Sequence, residues 1–222
     1  MDEIINALKD KALLKQKLYR TTLDIFNTLR EETRTTSKLL HDGLGVTDPQ
    51  VPVSFHENGE LEFRLRISGD LLVFSMHSNI MTLPPDHPTL RKEYIRENTK
   101  RAYFGQIFIY NFMNDSFRYN RQQDMGYMVA RLLVNCERKF FIEGVRPLNF
   151  LHPEISDSEI STELLRKLLE QSMLTAIETD LTSVPVQSML MMTVGDKLAQ
   201  NESRAGEKLG FQFSGKKHDA QS

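Results

Sequence analysis

Six histidines, thirty acidic residues and a single cysteine are the groups in this 222-residue chain whose types suit catalysis or metal binding. Their spacing restricts both. His41, His56, His77, His87, His152 and His218 never stand four apart, so the helix that offers two imidazoles to zinc in metallohydrolases is missing. Asp86 and His87 could approach His77, and His152 stands near Glu154, but neither group has a recognised ligand pattern. Cys136 has no second thiol to pair with, and its place on an apolar stripe reads as packing. No nucleophile elbow, phosphate loop or dinucleotide fingerprint occurs, and Gly43 and Gly45 lead to Pro49 instead of a phosphate-binding helix. A restriction-type magnesium nuclease needs an Asp and a Glu-X-Lys on adjacent strands. Asp70 opens a strand, but Glu143 in "FIEG" lacks the lysine. The residues therefore assign no catalytic, cofactor-binding or metal site.

The aromatic stretch is the next candidate. In "KRAYFGQIFIYNFMNDSFRYNRQQD", Phe104, Phe108, Tyr110 and Phe112 alternate on one face of a strand, and Tyr103, Gly105, Ile107 and Ile109 on the other. Aromatic rings on a strand can stack bases, as in RNA-recognition motifs, but the basic-Gly-aromatic order of those motifs is absent. The pattern predicts a central strand covered on both faces, turning at Asn114-Asp115 into a returning strand over Phe117 to Tyr119. Arg118 and Arg121 then read as charges that blunt a hairpin edge, and Asp124 as the cap of a helix carrying Met125 to Cys136. Two surfaces could hold something. Phe104, Tyr110 and Arg118 could line a ligand pocket beneath segment 84–100, and Met189 and Met192 could form an adaptable surface for a protein partner.

The elements that would position these residues are mostly readable. Residues 2–40 lack Gly and Pro and repeat apolar side chains every three or four positions, which predicts a helix, broken near Thr35-Thr36. Val51 to His56, Glu60 to Ser68 and Leu71 to Ser78 form a three-stranded meander, turned by Asn58-Gly59 and Gly69-Asp70. Leu61, Phe63, Leu65 and Ile67 alternate with Glu60, Glu62, Arg64 and Arg66, so one face of that strand meets a core and the other meets water. A polar helix is expected over Thr89 to Lys100 and a short strand over Lys139 to Glu143. Ser156-Asp157-Ser158-Glu159 reads as a capping box opening a further helix, followed by a Met-rich helix over Val186 to Ala199. The organisation expected is a helical segment 1–45, a sheet with helices 46–150, a helical segment 151–200 and a disordered tail 201–222.

Composition bounds the partners. With 28 basic and 30 acidic residues the formal net charge is −2, without the basic excess of a dedicated nucleic-acid binder. The acidic start and the short apolar runs predict no signal peptide and no membrane span, hence a cytoplasmic protein.

The order helix, three-strand meander, helix, two-strand hairpin, helix over residues 5–137 resembles class I type III secretion chaperones and the YbjN-like domains that share their fold. The segments that carry it are "NGELEFRLRISGDLLVFSMHS" and "GQIFIYNFMNDSFRYNRQQD". The chain is also similar to bacterial proteins of the Bacteroidetes type to which no activity is attached. The resemblance implies a small homodimer acting through protein contacts. The expected reading is thus an α+β protein with an antiparallel sheet of five to six strands, flanked by N- and C-terminal helices. It would act as a non-enzymatic interaction module in a chaperone-like or regulatory role, with a small-molecule sensor as the alternative.

Overall fold

The computed structural model describes residues 1–45, 48, 51–145, 148, 151–179 and 194–195. Its frame is one antiparallel sheet of six successive strands, most of which carry a two-residue period or a doubly apolar run. β1 (Val53–Glu57), β2 (Glu62–Ile67) and β3 (Asp70–Met76) form the meander, with Val53 opposite Ile67 and Phe63 opposite Phe74. Gly59 turns the first hairpin at φ +94°, a backbone angle that L side chains rarely adopt. β5 (Tyr103–Met113) pairs with β3, and β6 (Tyr127–Val134) and β7 (Phe140–Gly144) follow, giving the order β1-β2-β3-β5-β6-β7. The two-residue β4 (Met81–Thr82) extends the sheet beside the start of β5.

The long N-terminal helix is continuous. α1 (Asp2–Ala7), a π turn at Leu8–Ala12 and α2 (Leu13–Gly45) follow without a gap, so the break expected near Thr35-Thr36 does not occur. Its buried stripe runs through small hydroxyl residues as well as apolar ones: Leu18, Thr22, Ile25, Phe26, Leu29, Thr33 and Ser37. Thr22 and Thr33 hydrogen-bond the carbonyls four residues back, which satisfies each buried hydroxyl within the helix. Leu39 lies outside this stripe and is exposed. Thr22 also sets how closely α2 approaches β5, because a Cβ on Gly105 would stand 1.9 Å from its Oγ1.

α5 (Thr162–Glu178) lies beside α2 on the same face of the sheet. Together they cover Phe63, Leu65, Ile67, Leu72, Phe74, Ile107, Ile109, Leu132, Val134, Phe140 and Ile142 in one core. Sheet and both helices therefore share a single core. Phe63 stacks on Phe74 with centroids 4.7 Å apart, and Phe26 tilts onto Phe63 at 5.0 Å. Burying each such ring contributes about 2–3 kcal/mol relative to exposure.

Four expectations fail for physical reasons. Phe117 to Tyr119 is not a returning strand. The chain forms the single helical turn α4 (Asn114–Arg118) and re-enters the sheet only at Tyr127. Residues 125–136 hold strand β6 and its turn instead of a helix. β6 is central, and a bulge at Val129 gives it consecutive buried residues that imitate a helical stripe. Asp124 caps no helix; it accepts a hydrogen bond from Ser116 Oγ at 2.7 Å and pairs with Arg121, closing the 114–124 loop. The helix expected over 89–100 is three short turns, Pro88–Arg91, α3 (Glu93–Glu97) and Thr99–Ala102.

The C-terminal helix begins later than its capping box suggests. Ser156 is buried and accepts from the Phe140 amide, while the Ile160 amide donates to the Arg138 carbonyl. Those bonds pin 156–160 against the β6–β7 turn, and Ser161 caps α5 by accepting from the Leu164 amide. The Met-rich segment and the tail from 201 lie outside the described residues. Among the described residues no helix is long and apolar enough to cross a membrane.

Candidate functional site: the uncovered sheet face

Strand alternation sends every second side chain of the sheet away from α2 and α5. On this second face Arg64 stands opposite Val73, and Val73 opposite Tyr110, which in turn faces Met128. The neighbouring row runs Glu62, Ser75, Phe108, Arg131, Glu143. The next in the other direction runs Arg66, Leu71, Phe112.

One end of the face is closed. Leu83 and Ile95 from segment 83–102 pack on Phe104, Leu133 and Phe141 in a small second core. The other end is bordered by α4, where Phe117 meets Phe112 edge-on at 5.2 Å. Between these ends the rings of Phe108, Tyr110 and Phe112 form a ladder, with successive centroids 6.2 and 6.3 Å apart. Each is half-buried, Phe117 is 42% exposed, and no helix among the described residues lies across them. The central strand is therefore covered on one face and at one end of the other, not on both faces throughout.

Two of the arginines that flank the ladder are paired with carboxylates. Arg64 donates through Nε to Glu62 at 2.8 Å and lays its guanidinium 4.7 Å from the Phe117 ring centre. Arg131 donates through Nε to Glu143 Oε2 at 2.8 Å and also contacts it through Nη2. His87 Nε2 meets the other Glu143 oxygen at 3.1 Å. The Thr89 amide donates to His87 Nδ1 at 3.2 Å, so the proton resides on Nε2 and is given to Glu143. Both ring nitrogens are thus occupied, one by a backbone amide and the other by a carboxylate, and neither bonds a hydroxyl or thiol. This His–carboxylate pair straps segment 83–102 to β7; it is not arranged as a general base beside a nucleophile. Sequence spacing gave no sign of the strap, because its parts lie 56 residues apart.

A second strap holds the same segment at the β6–β7 turn. Tyr94 donates its hydroxyl proton to Glu137 at 2.7 Å and accepts from Asn135 at 2.9 Å, while Arg101 Nε donates to Glu137 at 2.8 Å. Arg101 and Lys139 each stand 4.2 Å from the Tyr94 ring centre. Desolvation, reinforced by Glu137, pushes the Tyr94 phenol up to about 12. The hydrogen bonds from Arg101 and Tyr94 hold Glu137 below the usual carboxylate range. Cys136 beside them is half-buried, and burial raises its thiol, which disfavours the thiolate.

The residues singled out from sequence fall in different places. Phe104 is fully enclosed in the second core, Tyr110 lies on the open ladder, and Arg118 is exposed on α4 with its guanidinium over Tyr119. Phe104 and Tyr110 share a face but stand six residues, roughly 20 Å, apart along β5. The three are therefore not brought together as one pocket. Met189 and Met192 lie outside the described residues.

Of the histidines, His77 accepts from the Asn79 amide, His56 contacts Ser54 and His152 packs edge-on against Phe140. Burial lowers the His152 pKa. No group of three or more His, Cys, Asp or Glu that could hold a metal occurs among the described residues. An open depression of about 520 Å³ adjoins the second strap, where Lys17, Arg138 and Lys139 face Glu137, Asp157 and Glu159.

Comparison with known proteins adds no constraint: no family model, no curated protein and no solved structure matches the chain.

Proposed function

We propose that the protein is a cytoplasmic, dimeric, non-catalytic interaction module that docks a protein partner on the open face of its sheet. The observation that carries this reading is the part-buried ladder Phe108–Tyr110–Phe112 beside the exposed Phe117, left without a covering helix among the described residues. Large aromatic side chains at the surface cost solubility unless something uses them, and they dominate the energetics of protein interfaces. The occupant is a protein segment presenting apolar side chains. Of the cations beside the rings, Arg64 and Arg131 are already paired with Glu62 and Glu143, which leaves Arg66, bonded to the Ser68 carbonyl. A phosphate backbone would need free cations, whereas an uncharged apolar segment needs none. A chaperone-like or regulatory role follows from a module that binds without reacting.

The test is affinity capture from the source cells with the wild type and with Tyr110→Ser/Phe112→Ser, both proteins having matched melting temperatures. A stoichiometric partner held by the wild type and released by the double variant supports the reading. Identical protein sets on both would overturn it.

A further inference from the structure

The N-terminal helix reaches well past the body of the protein. From Met1 to Lys17 no residue is fully buried, and the first to be so is Leu18. The sixteen helical residues from Asp2 to Lys17 span about 24 Å. Along this projection Met1, Ile4, Ile5, Leu8 and Leu13 are exposed, Leu8 at 57% and Leu13 at 62%. In a plain α-helix Leu8 and Leu13 would diverge, because five residues overshoot one turn of 3.6. The π turn at Leu8–Ala12 corrects this: the Leu13 amide bonds the Leu8 carbonyl, five residues back, and sets the two leucines one above the other. The chain thus departs from regular helix at the one place where departure makes the apolar stripe continuous.

Charge along the projection is segregated. The first eight residues carry Asp2 and Glu3 and no basic side chain, whereas residues 9–17 carry Lys9, Lys11, Lys15 and Lys17 against one acid, Asp10. A parallel pair of such helices would set acid against acid and lysine against lysine. An antiparallel pair centred near Leu8 sets the acidic end of each against the basic end of the other, with the helix dipoles opposed as well.

We propose that residues 1–17 pack antiparallel against the same residues of a second copy of this chain, with Leu8 at the two-fold axis. This rests on the dimeric reading above and names its surface. The contact is isologous, as closed two-fold dimers require. It lies on the protruding helix and leaves the aromatic sheet face free.

Light scattering on the size-fractionated full chain tests it. The wild type is expected as a dimer and Leu8→Glu as a folded monomer, the sheet and its core retained by circular dichroism because Leu8 lies outside that core. The variant's dissociation constant should rise at least tenfold. A wild-type monomer at 100 µM would overturn both the dimer and its surface. A dimer that survives Leu8→Glu would overturn the helix pairing alone and leave the dimeric reading standing. Direction is read by oxidation in a Cys136→Ser background. Leu8→Cys should form a covalent dimer and Ile4→Cys should not, since position 4 meets position 12 across the axis. Equal cross-linking at both positions, or none at position 8, would overturn the antiparallel arrangement.

Discussion

The two faces of the sheet carry similar numbers of rings and treat them differently. Under α2 and α5, Phe63 and Phe74 are fully buried and nearly parallel, and Phe26 and Phe140 complete the same core. On the opposite face Phe108, Tyr110 and Phe112 stand in a row one strand wide, only partly buried, with arginines at either side. β5 itself shows the division. Its inward positions Ile107 and Ile109 are aliphatic and completely enclosed, while its outward positions Phe108, Tyr110 and Phe112 are aromatic. A folding core needs volume fitted without gaps, which branched aliphatics provide. A surface that must gain contact area on binding is better served by rigid rings with few rotamers. The covered face is a core, and the open face is the surface that the proposed function assigns to a partner.

That contrast can be broken most easily at the core. Phe74→Ala should cost about 3–5 kcal/mol in denaturant unfolding, since a stacked and fully enclosed ring leaves a cavity. Tyr110→Ser should cost less than about 1 kcal/mol by the same measurement. Equal losses at the two positions would mean that the open face is core after all.

The approach of α2 to the covered face gives the next largest effect. Gly105→Ala places a methyl group against Thr22 and should cost about 1–3 kcal/mol. Adding Thr22→Gly should recover part of the loss in a double-mutant cycle, because the clash is with that side chain. No recovery would place the strain elsewhere.

The straps at the closed end of the second face sharpen the comparison further. Tyr94→Phe removes the hydrogen bonds to Glu137 and Asn135 and should cost about 1–2 kcal/mol. Its pH dependence has a definite sign. The folded phenol titrates at about 12 and an unfolded one near 10, so the protonated form is favoured by folding. Its stabilisation is complete below about pH 10 and is lost as pH rises towards 12. The wild type should lose stability over that window and Tyr94→Phe should lose less, as read from melting temperatures across the pH series. Glu137 works in the opposite direction: its folded pKa is depressed, so its smaller contribution is present at neutral pH and lost as pH falls through the carboxylate range.

How far these features were legible varied with how local their causes are. The meander could be read because its strands alternate and Asn58-Gly59 marks the turn, and the observed pairing of Val53 with Ile67 agrees. β6 could not, because the bulge at Val129 and the consecutive buried residues Leu132 to Val134 leave no two-residue period to see. The capping box at Ser156 misled because a distant amide, that of Phe140, claimed the serine first. The aromatic residues were visible as a strand, but whether helices would cover one face or two depends on α2 and α5 lying side by side. No single segment records that arrangement. The His87–Glu143 strap likewise joins a loop to a strand far along the chain.

The most direct measurement of the division between the faces is hydroxyl-radical footprinting of aromatic side chains in the purified full-length protein. The account predicts strong labelling of Phe117, substantial labelling of Tyr110 and Phe112, and none of Phe63, Phe74 or Phe104. Tyr110 and Phe112 protected as completely as Phe74 would contradict it, because the open face would then be occupied by the chain itself and unavailable to a partner.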